Sequence, residues 1–291
     1  KLKDGNGAYL WQPSVTAGEP DRLLGYALYT SPYVPTIAAE ALTVAFGAQV
    51  SGVLVLLGGL ALLGPATITG ADLGFGALAG LFGGIGLILI YRALAAGPMS
   101  VVAPTSALSA ASVPVLAGLL LGDRPEPLAL TGIAISFVAV LLITWERTEP
   151  GVARRVSRRV VLAALAGGTL FGLFFVALHQ ADPNAGLWPL LAARAASLPV
   201  LAALLRRSGS ALSSERGLMG TIVVSGALDM LANIFFLLAT RHGMLAVVSA
   251  LTGLYPATTV MLAQTRLGER MRGVQGAGLA VAALAAVMVA V

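Results

Sequence analysis

Cysteine is absent from the 291 residues, so the chain can form neither a disulfide nor a thiolate metal site. Histidine occurs only twice, and His179 has no second ligand at metal spacing, so no metal is expected. Charge is scarce, at 11% of residues, where a soluble domain carries about 25%. Such a chain could not clothe its own surface in polar groups, which excludes an ordinary aqueous domain. No glycine-rich phosphate loop ending in Lys-Ser or Lys-Thr is present, so nothing points to ATP as a driving force. His-Glu-x-x-His and Gly-x-Ser-x-Gly are missing too, and the loops are too short for a soluble catalytic domain. The chain is therefore not expected to be an enzyme or to carry a cofactor. The first 20 residues lack an apolar core, so no cleavable signal peptide is expected.

What remains is apolar. Hydrophobic residues make up 57% of the chain and the mean hydropathy is +0.89. A bilayer core about 30 Å thick is crossed by about 20 helical residues. Nine segments meet that length: 38–63, 73–95, 99–121, 127–145, 160–180, 186–205, 218–240, 244–265 and 273–291. They are continuous runs of Ala, Leu and Gly without alternation, which predicts helices and argues against strands. Breakers separate them: Gly64-Pro65, Gly97-Pro98, Pro125, Pro150-Gly151, Asp182-Pro183 and Gly243.

The second half repeats the first. At an offset of 146, residues 93–124 fall on 239–270 without a gap, and Leu-Gly-Asp-Arg at 121–124 meets Leu-Gly-Glu-Arg at 267–270. Gly132 meets Gly278 in the same register. The fold expected is an all-α integral membrane protein of about ten transmembrane helices, as two inverted five-helix repeats. The halves are 1–147 and 160–291, joined by a basic linker at 148–159.

The repeat asks for a first span within residues 1–37, near 23–36 or starting from Tyr9. Glu19, Asp21, Arg22, Pro32 and Pro35 make that stretch atypical. Arginine gathers on one side by span counting: Arg154, Arg155, Arg158 and Arg159 in or beside the linker, then Arg206, Arg207, Arg216, Arg266, Arg270 and Arg272. Cytoplasmic loops carry such an excess, which places the linker inside the cell. The basic charge follows segment ends, so it marks orientation and not a nucleic-acid face.

The paired Leu-Gly-Asp-Arg and Leu-Gly-Glu-Arg, the stretch 243–256 from Gly243 to Pro256, and the tandem layout resemble the drug/metabolite transporter superfamily, in its ten-helix form with two EamA-type repeats. The resemblance covers about 38–291. It implies inverted halves around a central cavity and export of amino acids or other small metabolites. It also implies cytoplasmic termini, from which the arginine distribution departs.

A transport site in hydrocarbon is built from polar groups that face the bundle interior. Arg194 lies mid-span, and its repeat mate is Gln49. A guanidinium there could fork onto a substrate carboxylate, or could form a structural ion pair. Ser225, Asp229 and Asn233 stand four apart on one helical face. Asp229 could hold an amino group, pair with Arg194, or bind a coupling proton. Ser249, Thr252 and Tyr255 in 244–265, with Ser106 and Ser109 in 99–121, form polar stripes at matching register, as cavity lining or as hydroxyls bonded back to their own helix. Phe171, Phe174 and Phe175 fit a pocket or plain packing. Gly76, Gly80 and Gly84, and Gly168 and Gly172, are small-residue ladders that let helices approach closely.

The function expected is a carrier of small organic metabolites, amino acids or related compounds and drugs, in the cell (plasma or inner) membrane, working by alternating access with proton coupling through Asp229 as one option. Substrate-binding candidates are Arg194, Asp229, Asn233, Ser249, Thr252, Tyr255, Ser106, Ser109 and Gln49. The partners are the lipid bilayer and a small-molecule substrate, not nucleic acid, and a homodimer stays open. A non-transporting membrane scaffold and an intramembrane lipid-acting enzyme are the competing classes.

Overall fold

The computed structural model describes residues 11–12, 21–23, 26–28, 34–62, 66–144, 157–208, 216–267 and 273–290. Among these, the architecture is a bundle of long apolar helices: α1 Val34–Leu62, α2 Gly70–Ala96, α3 Met99–Leu121, α4 Pro127–Ile143, α5 Arg158–His179, α6 Trp188–Ser208, α7 Arg216–His242, α8 Leu245–Thr252, α9 Tyr255–Leu267 and α10 Gly273–Ala290. Eight stretches are long and apolar enough to cross a membrane, as in a multi-pass membrane protein, and α4 is a shorter apolar helix. Leu54, Leu120, Leu162, Phe235 and Val287 are well exposed on the outside of the bundle. Hydrocarbon tolerates such a surface where water would not.

Two expectations need correction. Residues 21–23 and 26–28 are not helical: with 11–12 they form a small antiparallel sheet, β1 Trp11–Gln12, β2 Asp21–Leu23 and β3 Tyr26–Leu28. Trp11 pairs with Leu23, and Asp21 with Leu28. Asp21 and Arg22, both in β2, are charges that an apolar span would have had to bury. Four helices, not five, therefore precede the basic linker among the described residues. The expected span 244–265 is also split, into α8 and α9, by a short turn at Gly253 and Leu254. Pro256 has no N–H to return to the carbonyl of Thr252, so the helix restarts there. The two pieces still read as one apolar stretch, Leu245–Leu262.

The helices pack mostly across the two halves. The main pairs are α2 with α5 and α6, α1 with α7 and α6, α3 with α5 and α8, and α4 with α10. Glycines make the closest approaches. A Cβ at Gly80 would strike the backbone of Ala193, and one at Gly226 would strike the carbonyl of Ala48. Gly132 rests on Met288 and Val289, while Gly278 rests on Leu142 and Ile143. Gly76 is seated on Pro189, Gly168 on Ser106 and Ser109, and Gly172 on Val113 and Ala110. The ladders read from the sequence thus serve packing inside the bundle.

Leu-Gly-Asp-Arg at 121–124 has a local explanation. α3 ends at Leu121, and Gly122 takes the left-handed conformation (φ +114°) that L side chains avoid. Asp123 Oδ2 then accepts from the N–H of Ala246 at 2.8 Å, capping the first turn of α8 in the other half. A carboxylate at a helix N-terminus satisfies an orphan donor and meets the positive end of the dipole. Arg124 donates to the carbonyls of Leu119 and Asp123. Glu269, its counterpart, lies outside the described residues.

At the same end of the bundle, Thr69 and Asp72 form a capping box at the start of α2. The other carboxylate oxygen of Asp72 accepts from the N–H of Asp182 at 2.8 Å, tying α2 to the loop after α5. Arg241 donates to the carbonyl of Gly186 nearby. This end carries the acids Asp72, Asp123 and Asp182. The opposite end carries Arg158 and Arg159 at the start of α5, and Arg206 and Arg207 in the last turn of α6.

Gly80→Val and Gly226→Val should each lower stability by about 1–3 kcal/mol through overpacking. Gly74→Ala and Gly220→Ala, where a Cβ meets nothing within 4 Å, should not destabilise. Thermal unfolding in detergent measures both; equal stability of all four would show that these seats do not hold the bundle.

Candidate functional site

The bundle encloses two adjoining cavities at mid-height. The narrower, of 180 Å³, is bordered by Gln49 of α1, Tyr91 of α2, Arg194 and Ser197 of α6, and Ser225, Asp229 and Asn233 of α7. The wider, of 450 Å³, is bordered by Ser106 and Pro114 of α3, Phe171 and Phe175 of α5, Phe236 of α7, Ser249 and Thr252 of α8, and Tyr255 of α9. Leu87, Phe171, Asp229 and Asn233 border both. The glycine seats explain why these groups converge. Gly80 and Gly226 bring α2 onto α6 and α7 onto α1, next to Arg194, Asp229 and Gln49.

On the side of the acidic end, the space is filled. Leu56, Leu178, Leu187, Leu190, Met230 and Leu237 are fully buried in one cluster, joined by Ala79, Ala193 and Ile234. Along α1, α2, α5, α6 and α7 these residues lie mostly toward the acidic end relative to the cavity residues. The cluster is a block of close-packed side chains beside the narrower cavity, whose lining shares Leu190 and Ala193 with it.

Arg194 and Asp229 meet: Nη2 lies 2.7 Å from Oδ2. The side chains are unequally placed, with 13% of Arg194 exposed and 51% of Asp229. The pair therefore shows its carboxylate to the open space. Asn233 turns back and donates to the carbonyl of Asp229 at 2.7 Å. Gln49 does not contact Arg194 in a recorded bond; its Oε1 accepts from Ser197 Oγ at 2.7 Å, a buried bond between α1 and α6.

Most hydroxyls of the polar stripes are satisfied by their own helices. Thr105 donates to Val101, Ser106 to Val102, Ser112 to Leu108 and Thr252 to Val248. Ser249 differs. It is buried at 3% exposure, borders the wider cavity, and its Oγ has no hydrogen-bond partner among the described residues.

Of the nine candidates from the sequence, Gln49, Arg194, Asp229 and Asn233 border the narrower cavity, and Ser106, Ser249, Thr252 and Tyr255 the wider, with Asp229 and Asn233 shared. Ser109 borders neither. Its hydroxyl donates to Thr105 and Ser106 carbonyls and lies against Gly168 of α5. The step from Ser106 to Ser109 turns it toward the α3–α5 seam, where only a glycine leaves room. Tyr91, Ser197 and Phe236 were not singled out in the sequence. They lie in apolar runs whose inward face becomes visible only once the neighbouring helices are placed. The phenylalanines form one cluster, with Phe175 and Phe236 centroids 4.3 Å apart and Phe171 edge-on to Phe175 at 5.7 Å.

Comparison with known proteins overturns the family resemblance. The family model that matches is that of the phage capsid family, over residues 1–56, and no model of the drug/metabolite transporter or EamA type matches. The match ends inside α1 and leaves the rest of the bundle unmatched. The motif that suggested the resemblance does the work of ending one helix and capping another, a need common to many bundles, which explains why it does not identify a family. No curated protein matches. A solved structure whose title reads only "Crystal structure of protein" superposes with a TM-score of 0.65 over 89% of this chain and 88% of its own, at 18% identity. At that identity the likeness concerns the fold alone.

The unequal burial of the pair makes a specific energetic prediction. Asp229→Leu should destabilise the protein, because it strands the largely covered guanidinium of Arg194 in the bundle. The double variant Arg194→Met with Asp229→Leu should recover part of the loss, giving a coupling of about 0.5–3 kcal/mol in a double-mutant cycle. Additive effects in the unfolding data would mean that the pair contributes nothing as a pair.

Proposed function

We propose that this chain is a membrane carrier that moves a small organic molecule through the mid-bundle cavity by alternating access. The observation that carries the reading is a cavity in an apolar bundle that holds an ion pair, with one carboxylate oxygen unpartnered among the described residues. Intramembrane ionisable groups are expensive and mark substrate or ion pathways by default.

Two inverted halves related by the 146-residue offset are the proposed basis of the motion. Support comes from seats that exchange to within one residue of that offset. Gly132 lies on Val289 and Gly278 on Ile143, all at 146; Gly80 lies on Ala193 and Gly226 on Ala48, the glycines 146 apart and the alanines 145. Helix pairs exchange likewise, α2 with α6 for α7 with α1. In this scheme α5, packed on α2 and α3, is the helix without a counterpart among the described residues. The proposed location is a cell membrane, with the arginine-rich end in the cytoplasm by the positive-inside rule.

Uptake by proteoliposomes tests the reading. Purified protein should give saturable flux for at least one member of a panel of amino acids, nucleosides and organic cations, and no flux for any member would leave a scaffold as the better account. Asp229 is the titratable group with a free oxygen in the cavity, so it is the proposed site of proton coupling. Asp229→Asn should then abolish the dependence of flux on an imposed pH gradient in pH-clamped vesicles. An unchanged dependence removes Asp229 from the coupling.

A further inference from the structure

We infer that the cavity takes an amphipathic organic monocation, its ammonium against Asp229 and its apolar body in the wider compartment. The inference deepens the carrier reading and rests on it for its biological sense, but the binding it describes stands on its own geometry.

Charge sets the head group. Arg194 holds Oδ2 of Asp229 and is itself largely covered. Oδ1 has no recorded partner among the described residues. A carboxylate accepts on both oxygens, so an ammonium can join without displacing the arginine. A carboxylate ligand would meet the reverse situation: it would face the exposed acid, while the guanidinium donors that Asp229 leaves over belong to a side chain only 13% exposed.

The wider compartment sets the rest of the molecule. Phe171, Phe175, Phe236 and Tyr255 border it, and Asp229 stands at its junction with the narrower one. Aromatic faces attract cations as well as burying apolar area. A volume of 450 Å³ is within the range of small-molecule pockets, about 300–1,000 Å³. Ser249 supplies one more polar contact. A buried hydroxyl without a partner costs free energy, and a hydroxyl or ether oxygen on the ligand would relieve it. The compartment thus asks for one cationic end, an aromatic or alkyl body, and at most one further polar group.

The test uses three probes of nearly one shape: phenethylamine, phenethyl alcohol and hydrocinnamate. Each is titrated calorimetrically against the purified full chain in detergent. The amine should bind at least about tenfold more tightly than the neutral and anionic probes. Asp229→Asn should remove that advantage. Phe236→Ala should weaken amine and alcohol together. Equal or tighter binding of the alcohol or hydrocinnamate to the unmodified protein overturns the inference, and that comparison needs no variant to fold. Amine binding without flux would sink the carrier reading but not this one. Flux of carboxylates without amine binding would do the reverse.

Discussion

Helices immersed in hydrocarbon gain nothing from hiding apolar side chains, because lipid tails are as apolar as leucine. They associate where their backbones can touch, and that requirement governs this bundle. Gly80 and Gly226 each leave room for a main-chain carbonyl of the partner helix, on Ala193 and Ala48. Both seats lie one residue from a polar group: Arg194 follows Ala193, and Gln49 follows Ala48. The contact that closes the helices is therefore also the contact that delivers the cavity's polar side chains. Enlarging a seat would move the polar groups as well as weaken the packing.

The second constraint is charge. An unpaired guanidinium in this setting would be costly, and Asp229 neutralises it across α6 and α7. A pair made only for stability would be expected to bury both partners, with their remaining donors and acceptors satisfied. Here one partner is covered and the other half exposed, beside a cavity. The asymmetry turns a structural pair into a surface of definite sign. It also separates this site from the Asp72 carboxylate, whose oxygens are taken by Thr69 and Asp182 and which joins the start of α2 to the loop after α5.

Much of the helical framework was legible in the sequence because length and continuous apolarity decide it. The nine segments read there correspond to α1–α7, the α8–α9 pair and α10, with ends that differ by a few residues. The stretch before α1 was not legible: repeat logic asked for a helix, and its described part, 11–12, 21–23 and 26–28, is short strands. Side-chain direction was the other blind spot. Ser106 and Ser109 share a stripe by spacing, yet one borders the cavity and the other the α3–α5 seam, because Gly168 opens that seam. Ser197 and Phe236 carried no signal alone; each acquires meaning from a residue far away in the chain, Gln49 and Phe175 respectively.

The reversed lesson comes from Leu-Gly-Asp-Arg. As a string it suggested kinship, and comparison with known proteins did not sustain that. As chemistry it is fully accounted for: a helix end, a glycine at positive φ, a carboxylate that caps a helix of the other half, and an arginine on the last free carbonyls. The groups that distinguish this bundle are the ones that do not repeat, Arg194, Asp229 and the unpartnered hydroxyl of Ser249, and they stand where the cavity opens.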